Sequence, residues 1–355
     1  MQSKIVAAWA LLMLLGSGPA IGQIRVSPTP LNNPGVGGKT LDEWMKLMED
    51  RDPSVREHAI RMIGQLGPTA KKAAPTLIRQ IAPNANDLSP MTSAVIALGQ
   101  IVPDDARHIK DAVQALNSLL NHDQLILRFQ AATALGHIGA PSRTSVERLK
   151  PMIKQNMSWE LRRAAAYALG KVGRDDSGMP DMLALKALVD GIDDPCKEVR
   201  VESLQGVINL GMPALPQHQL ELRGLLEQRV RADKDKFASI WVRVALLRMD
   251  AGPQTDAYVN DIAKHLKSTD LTLASDAARA IGACGVIAKS KIPDLVESLK
   301  SSDITLTFWS AWALGRMGPE AKNALPNLTA LLESADSNVK TAAQEAIKQI
   351  TSAKG

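Results

Sequence analysis

The sequence LRFQAATALGHIG at residues 127–139 returns as LRRAAAYALGKVG at residues 161–173. Both copies place apolar side chains at intervals of four, four and three residues, which keeps them on one face of a helix with 3.6 residues per turn. Each copy ends in Gly, the residue that most readily takes the left-handed conformation after the last helical turn. The stretch therefore predicts an amphipathic helix that buries one flank and stops at its final glycine.

The same pattern recurs about every 35 residues along the chain. With the Arg56 site as position 0, apolar residues occupy positions −1, +7 and +10, and Ala or Ser occupies +3. One such helix cannot bury its apolar stripe alone, so the copies must stack. Clear copies begin at Asp52, Leu125, Trp159, Lys197, Leu271 and Thr305, and weaker ones at Ser89, Ser239 and Ser337, the Ser239 copy being ambiguous in register by two residues.

A second motif joins the copies. GPTAKKAAPTL from Gly67 returns as GPEAKNALPNL from Gly318. Proline suits the first turn of a helix, where its missing N–H costs no hydrogen bond, so each repeat is predicted to contain two helices. The leading helices begin at Pro75, Pro293 and Pro326, and left-handed glycines are expected after the second helices at Gly67, Gly139, Gly173, Gly211, Gly285 and Gly318.

On the motif [V/L]-R-x-x-A-A-x-A-L-G-x-[I/V]-G, the chain from Leu41 to about Ile350 resembles the HEAT-repeat family. The resemblance implies an all-α fold over residues 41–355, an α-solenoid (right-handed superhelix) of about nine helix pairs. It implies no activity, because such solenoids carry many unrelated functions.

In that family the position-0 arginine and an aspartate preceding that position form a ladder of charges between stacked repeats. The resemblance assigns this role to Arg56, Arg128, Arg162 and Arg200, with Arg243 and Lys340 as further members. Met91, Ala274 and Thr307 interrupt the arginine side. The aspartates that lie four residues before the position are Asp52, Asp87, Asp270, Asp303 and Asp336.

The N-terminal residues predict export. Lys4 precedes an apolar run from Ile5 to Leu15, and helix-breaking glycine and proline follow. An A-x-G pattern at Ala20 and Gly22 then predicts cleavage after Gly22. The apolar run is shorter than the roughly 20 residues that span a bilayer, so we expect a signal peptide at residues 1–22 and a periplasmic or extracellular protein that is not membrane-embedded. A retained anchor is the alternative. Residues 23–40 are expected to be a flexible linker.

The chain offers little chemistry for catalysis. It has no nucleotide-binding, hydrolase or zinc-protease motif, and none of its six histidines stands at ligand spacing from another. We therefore expect no catalytic residues, no cofactor and no metal site. Cys196 and Cys284 lie two repeats apart, too far for a disulfide. The net charge is +5, but acidic residues interrupt the basic stretches, so nucleic acid is not an expected ligand.

The strongest sign of a binding surface lies at positions +2, +5 and +9 of the second helices, opposite the core. Most of these residues are polar. Second helices of HEAT-like solenoids line the concave surface, and Trp beside Arg is typical of binding hot spots. The predicted partner-binding stripe contains Trp309, Trp312, Arg316, Asp276, Arg279, Tyr167, Lys171 and His137. The alternative is that the two Trp rings, predicted to project outward, instead seal the C-terminal end of the stack.

The sequence thus favours a non-catalytic scaffold that binds a protein or an extended peptide segment. A carbohydrate- or polyanion-binding envelope protein is the second hypothesis, in which indoles stack on sugar rings. The third is an enzyme similar to the phycobilisome-lyase branch of HEAT-like proteins. The absence of clustered acids, bases or nucleophiles in the sequence counts against the third.

Overall fold

A computed structural model describes residues 36–81, 87–103, 105–154, 157–175, 177–232, 235–249 and 252–352. These residues are helical apart from turns and a single isolated bridge between Arg174 and Pro180. The chain divides into two compact units, residues 1–151 and residues 152–355. The predicted signal peptide, its cleavage site after Gly22 and the linker up to residue 35 lie outside the described residues.

In the first unit, α2, α4 and α6 are the second helices of the first three repeats and pack side by side in that order. The leading helices α1, α3 and α5 pack against them, and α7 opens the fourth repeat. The bounds are α1 Leu41–Leu47, α2 Pro53–Gln65, α3 Ala74–Gln80, α4 Leu88–Ile101, α5 Ile109–Leu119, α6 Leu125–Ile138 and α7 Val146–Leu149.

In the second unit, the even-numbered helices are again the second helices and form one continuous layer, while the odd-numbered helices form the other. The bounds are α8 Trp159–Val172, α9 Met182–Gly191, α10 Lys197–Leu210, α11 Pro216–Ala232, α12 Lys236–Met249, α13 Thr255–Ala263, α14 Leu271–Cys284, α15 Ile292–Ser298, α16 Ile304–Arg316, α17 Leu325–Ala330 and α18 Ser337–Thr351. The predicted all-α solenoid architecture, with two helices per repeat, is confirmed.

The sequence motif also sets how closely second helices approach. In four repeats, a methyl group built on the glycine at position +8 would lie 2.6–2.9 Å from the Cα of the residue at position +6 in the next repeat. Real side chains do not approach a backbone so closely, so the A-L-G part of the motif allows backbones to touch. The pairs are Gly99 with Ala134, Gly170 with Gly206, Gly282 with Ala313, and Gly315 with Ala346.

The helix ends follow the sequence with one exception. Five of the six predicted glycines have φ between 56° and 77°, so they need the left-handed freedom of glycine. Gly173 does not, because its φ is −74°. There a Cβ would lie 2.6 Å from Cβ of Ala184, so glycine is required by packing rather than by the turn. The three leading prolines stand in first turns as predicted.

Arginine at position 0 pairs with an aspartate near the start of the next second helix. Arg56 pairs with Asp87 in the first unit. In the second unit the Nε and Nη2 atoms of Arg162 lie 2.6 and 2.8 Å from the two carboxylate oxygens of Asp194. Arg200 Nε lies 2.7 Å from Asp235 Oδ2. Arg128 forms no ion pair among the described residues.

The Arg162–Asp194 pair differs from the others in its burial. Its side chains are 8% and 2% exposed, and Asp194 also accepts a hydrogen bond from the Cys196 backbone N–H. Arg162 donates a further bond to the Met157 carbonyl oxygen. The pair with Asp194 raises the pKa of Arg162. A two-bond, fully hydrogen-bonded pair of this kind fixes the spacing of two neighbouring repeats.

The structure corrects the register that the sequence predicted for the sixth repeat. The carboxylate of Asp235 accepts hydrogen bonds from the backbone N–H groups of Phe237 and Ala238 at the start of α12. Aspartates cap α2, α14, α16 and α18 in the same way, four residues before position 0. Position 0 of this repeat is therefore Ser239. The assignment of Arg243 to position 0 is wrong, and Arg243 instead pairs with Asp261 at 3.3 Å.

One helical run in the described residues, Leu271–Ser298, is long and apolar enough to cross a membrane by length and composition alone. It consists of α14, a 3₁₀ turn and α15, and Gly285 between them has a φ of 57°. About half of its most apolar window, 56%, is buried within the fold. Burial of this kind is what the core helices of a stacked repeat require.

Candidate interaction surface on the second helices

Positions +2, +5 and +9 of α8, α10, α12, α14, α16 and α18 form what we call the second-helix face of residues 152–355. Helices α8 to α18 of this layer pack in sequence order, so residues from neighbouring repeats meet on the face. Seven of the eight predicted binding residues lie on it. His137, the eighth, is exposed on α6 of the first unit.

The centre of the face is an arginine between two indoles. The guanidinium carbon of Arg279 on α14 lies 4.6 Å from the ring centroid of Trp241 on α12 and 5.5 Å from that of Trp309 on α16. Such cation–π contacts are strengthened by removal of water. We call Trp241, Arg279, Trp309, Trp312 and Arg316 the Trp–Arg stack.

Trp309 is buried and does not project from the face as the sequence pattern predicts. Its exposed fraction is 6%. The rings of Phe308 and Trp312 meet it nearly perpendicularly at centroid distances of 4.9 and 5.5 Å, and Arg279 lies over it as well. Position +2 is covered because the close approach of α14 and α16 brings the side chains of one repeat over the next. Trp309 is thus a support of the face rather than a contact surface.

Trp312 and Arg316 form the accessible part of the stack. Trp312 is half-buried, and its ring rests on the backbone of α14, with two ring carbons 2.5 and 2.7 Å from where a Cβ of Gly282 would stand. Arg316 is exposed, and its guanidinium carbon lies 5.9 Å from the Trp312 ring centroid. Glycine at position +8 of one repeat therefore makes room for the indole of the next.

Sequence reasoning missed Trp241. With Arg243 taken as position 0, Trp241 falls outside the stripe, whereas the observed register puts it at position +2, equivalent to Trp309. The signal that could have found it is Asp235, which stands four residues before Ser239 as the capping aspartates of other repeats do.

The positive charge of the Trp–Arg stack is only partly balanced by neighbouring carboxylates. Asp276 Oδ1 lies 3.4 Å from Arg279 Nη2, and the two side chains are 16% and 19% exposed. Burial raises the pKa of Asp276 although Arg279 and Lys197 oppose the shift, and burial lowers the pKa of Arg279. The Arg279 Nε–H and the Trp241 indole N–H are buried and have no hydrogen-bond partner among the described residues.

Tyr167 and Lys171 lie on α8, at the other end of the same layer. The Lys171 ammonium is 5.9 Å from the Tyr167 ring centroid. Burial, with a smaller effect of Glu202, raises the pKa of Tyr167 to about 12. Burial also raises the pKa of Glu202, against the attraction of Arg163 and Lys171. These residues form a second cluster on α8 and α10, separate from the helices that carry the Trp–Arg stack.

Other reactive side chains are scattered. Within the described ranges no group of three or more His, Cys, Asp or Glu side chains could hold a metal ion. Buried Asp105 lies 2.6 Å from His108 Nδ1, and no further metal-binding group joins them there. Cys196 and Cys284 are free thiols, and burial raises the pKa of Cys284 to about 12. A thiol of that kind is a core residue, not a nucleophile.

Comparison with known proteins identifies the repeat. A family model described as HEAT repeats matches residues 41–124, 92–170, 119–207 and 259–348. The matches extend over both units and over more than half of the chain.

Two individual proteins are similar to this chain. A HEAT repeat-containing taxis protein of Halobacterium salinarum is 34% identical over 119 residues, which are 34% of this chain and 27% of that protein. The match thus spans about a quarter of the relative's length. An engineered protein of known crystal structure has a TM-score of 0.46 and 22% identity, covering 87% of this chain and 88% of that one.

Proposed function

Since the chain belongs to the HEAT-repeat family, whose members generally act as protein-interaction scaffolds, we propose that it is an exported, non-catalytic scaffold. Its protein partner docks on the second-helix face of residues 152–355. The leader-like residues 1–22 support export to the periplasm or the cell exterior.

The observation that carries this proposal is the layered construction of the Trp–Arg stack. Trp241, Arg279 and Trp309 form a rigid base, while Trp312 and Arg316 lie over it with accessible surface. Hot spots in protein interfaces have this composition, because a fixed indole beside a guanidinium binds with little loss of side-chain freedom. An indole needed only for stability would be covered, as Trp309 is.

The structure offers less to the second hypothesis, carbohydrate binding through stacked indoles. A sugar ring needs the open face of an aromatic side chain. Trp309 has almost no exposed surface, and the two half-buried indoles each have a covered face, Trp241 under Arg279 and Trp312 against the α14 backbone. A protein partner that contacts the edge of the Trp312 ring together with Arg316 fits the accessible surface of these side chains better.

Affinity capture from the envelope fraction of the source cells tests the docking surface. The double variant Trp312→Ala/Arg316→Gln should lose the partner recovered by the wild-type chain, while its far-UV circular dichroism spectrum stays that of the folded wild-type chain. The matched control is Ile96→Ala, which removes an exposed apolar side chain from position +5 in the first unit. Equal recovery by the double variant would exclude this face as the docking site.

The location is tested separately, by fractionating the source cells and sequencing the mature N-terminus. We expect an envelope or secreted protein that begins at Gln23. A cytoplasmic chain that retains its first residues would contradict export but would leave the docking surface untouched.

A further inference from the structure

The chemistry of the second-helix face indicates what kind of partner segment it accepts. We propose that the Trp–Arg stack binds an extended peptide segment rich in Asp and Glu, whose carboxylates pair with Arg279 and Arg316 beside an aliphatic side chain on Trp312. This inference rests on the docking surface proposed above and adds the chemical class of the partner.

Neighbouring side chains hold the guanidinium of Arg279 in place. Its guanidinium carbon lies 4.6 Å from the ring centroid of Trp241 on α12 and 5.5 Å from that of Trp309 on α16, so the group is held by contacts with both neighbouring helices. Its edge is used by one ion pair at 3.4 Å, and its side chain keeps 19% of its surface accessible. A guanidinium recognises a carboxylate through parallel N–H groups on its edge. Arg279 is therefore oriented in advance with that edge only partly occupied.

The side chains around the stack carry more positive than negative charge. Arg316 on α16, Arg248 on α12 and Lys197 on α10 form no ion pair among the described residues. Arg243 on α12 is paired with Asp261, and Glu345 on α18 is paired with Lys348. Among the residues that the structure describes, the carboxylate that forms an ion pair with the stack is that of Asp276, which is bound to Arg279. The unbalanced charge is positive, which attracts an acidic segment and repels a basic one.

The arrangement of the cationic groups suits an extended chain. The accessible residues Trp312 and Arg316 are on α16, and Arg279 is one helix away on α14, so the cationic groups follow the face from repeat to repeat. An extended chain points alternate side chains to the same side. It can thus place carboxylates on successive arginines, with an intervening aliphatic group against the indole.

Binding of a synthetic peptide tests the proposal without knowledge of the natural partner. The probe is a short fluorescein-labelled peptide of Glu, Gly and Leu, and its control carries Gln at every Glu position. The full chain should bind the Glu peptide roughly tenfold or more tightly than the Gln peptide, because each charged hydrogen bond to a guanidinium is lost with the charge. Rising salt should weaken binding of the Glu peptide.

Three variants make the test specific to this site. Arg279→Lys keeps the charge but loses the flat group between the indoles, and it should weaken binding of the Glu peptide roughly tenfold. Arg316→Gln, at an exposed position, should also weaken it. Arg61→Gln is the matched control, because Arg61 is an exposed arginine at position +5 in the first unit, and it should bind as wild type.

Each outcome separates this inference from the proposed function. Equal affinity for the Glu and Gln peptides, or unchanged binding by both Arg279→Lys and Arg316→Gln, would overturn the acidic-peptide assignment. So would tighter binding of polygalacturonate that is lost in the same variants, which would indicate an acidic polysaccharide. If peptide binding fails but capture from the envelope still depends on Trp312, the docking surface stands and only the partner chemistry is wrong.

Discussion

The two units share one repeat motif, yet their second helices present different surfaces. In residues 1–151, the first and third repeats carry polar side chains at positions +2, +5 and +9, such as His58, Arg61 and His137, and these are largely exposed. In residues 152–355 the corresponding positions hold Trp241, Arg279 and Trp309, and the guanidinium of Arg279 contacts both indoles. The core positions of the repeat are alike in both units. Differences between repeats at the outer positions therefore create a site without altering the stack.

The arginine–aspartate pairs of the two units also differ, in this case in how much they are expected to contribute to stability. Arg56 and Arg162 occupy position 0 of their repeats, and each pairs with an aspartate of the following repeat. The carboxylate of Asp87 is 46% exposed, whereas that of Asp194 is 2% exposed. The sequence position is equivalent, but the energetic consequence of losing the arginine is not.

The largest expected effect on stability is that of replacing Trp309, compared with replacing the residue at the equivalent position in the first unit. Trp309→Ala should lower the free energy of unfolding by about 3 kcal/mol, because it removes a buried indole and leaves a cavity under Arg279. His58→Ala, at the same position of the first repeat, should change stability little. Urea denaturation followed by circular dichroism measures both. A small effect of Trp309→Ala would show that the stack does not support the fold.

The next effect tests the two arginine pairs. Arg162→Ala should destabilise the protein by about 3 kcal/mol, because the buried carboxylate of Asp194 loses its countercharge. Arg56→Ala should cost no more than about 1 kcal/mol, since solvent reaches Asp87. The comparison is made by thermal unfolding of both variants. Equal losses would mean that burial does not distinguish these pairs.

A smaller effect concerns the glycines that set helix spacing. Gly282→Ala and Gly99→Ala should each destabilise by about 1–3 kcal/mol, because a methyl group collides with the next second helix. Only Gly282→Ala should also weaken binding on the face, since it displaces Trp312. The control is Gly224→Ala on α11, where a methyl group meets open space, and helix propensity predicts a gain of up to about 1 kcal/mol. Melting temperature and peptide affinity, measured in parallel, check both statements.

Much of the repeat architecture could be predicted from the sequence because it depends on local physics. The glycines with positive φ and the first-turn prolines act within a few residues, and most are found where the sequence places them. Where the prediction failed, the cause was also local. The register of the sixth repeat was set by an arginine rather than by the cap at Asp235, and Trp241 was lost from the stripe for that reason.

The sequence by itself determined the helix pairs, their order and the flank that each buries, since periodicity and caps are properties of single segments. Only the tertiary structure decided that Trp309 is covered while Trp312 remains accessible, and that Arg279 lies between two indoles from neighbouring repeats. The reason is that exposure at the outer positions depends on the distance between stacked helices. Contacts between glycine and alanine residues about 30 positions apart set that distance.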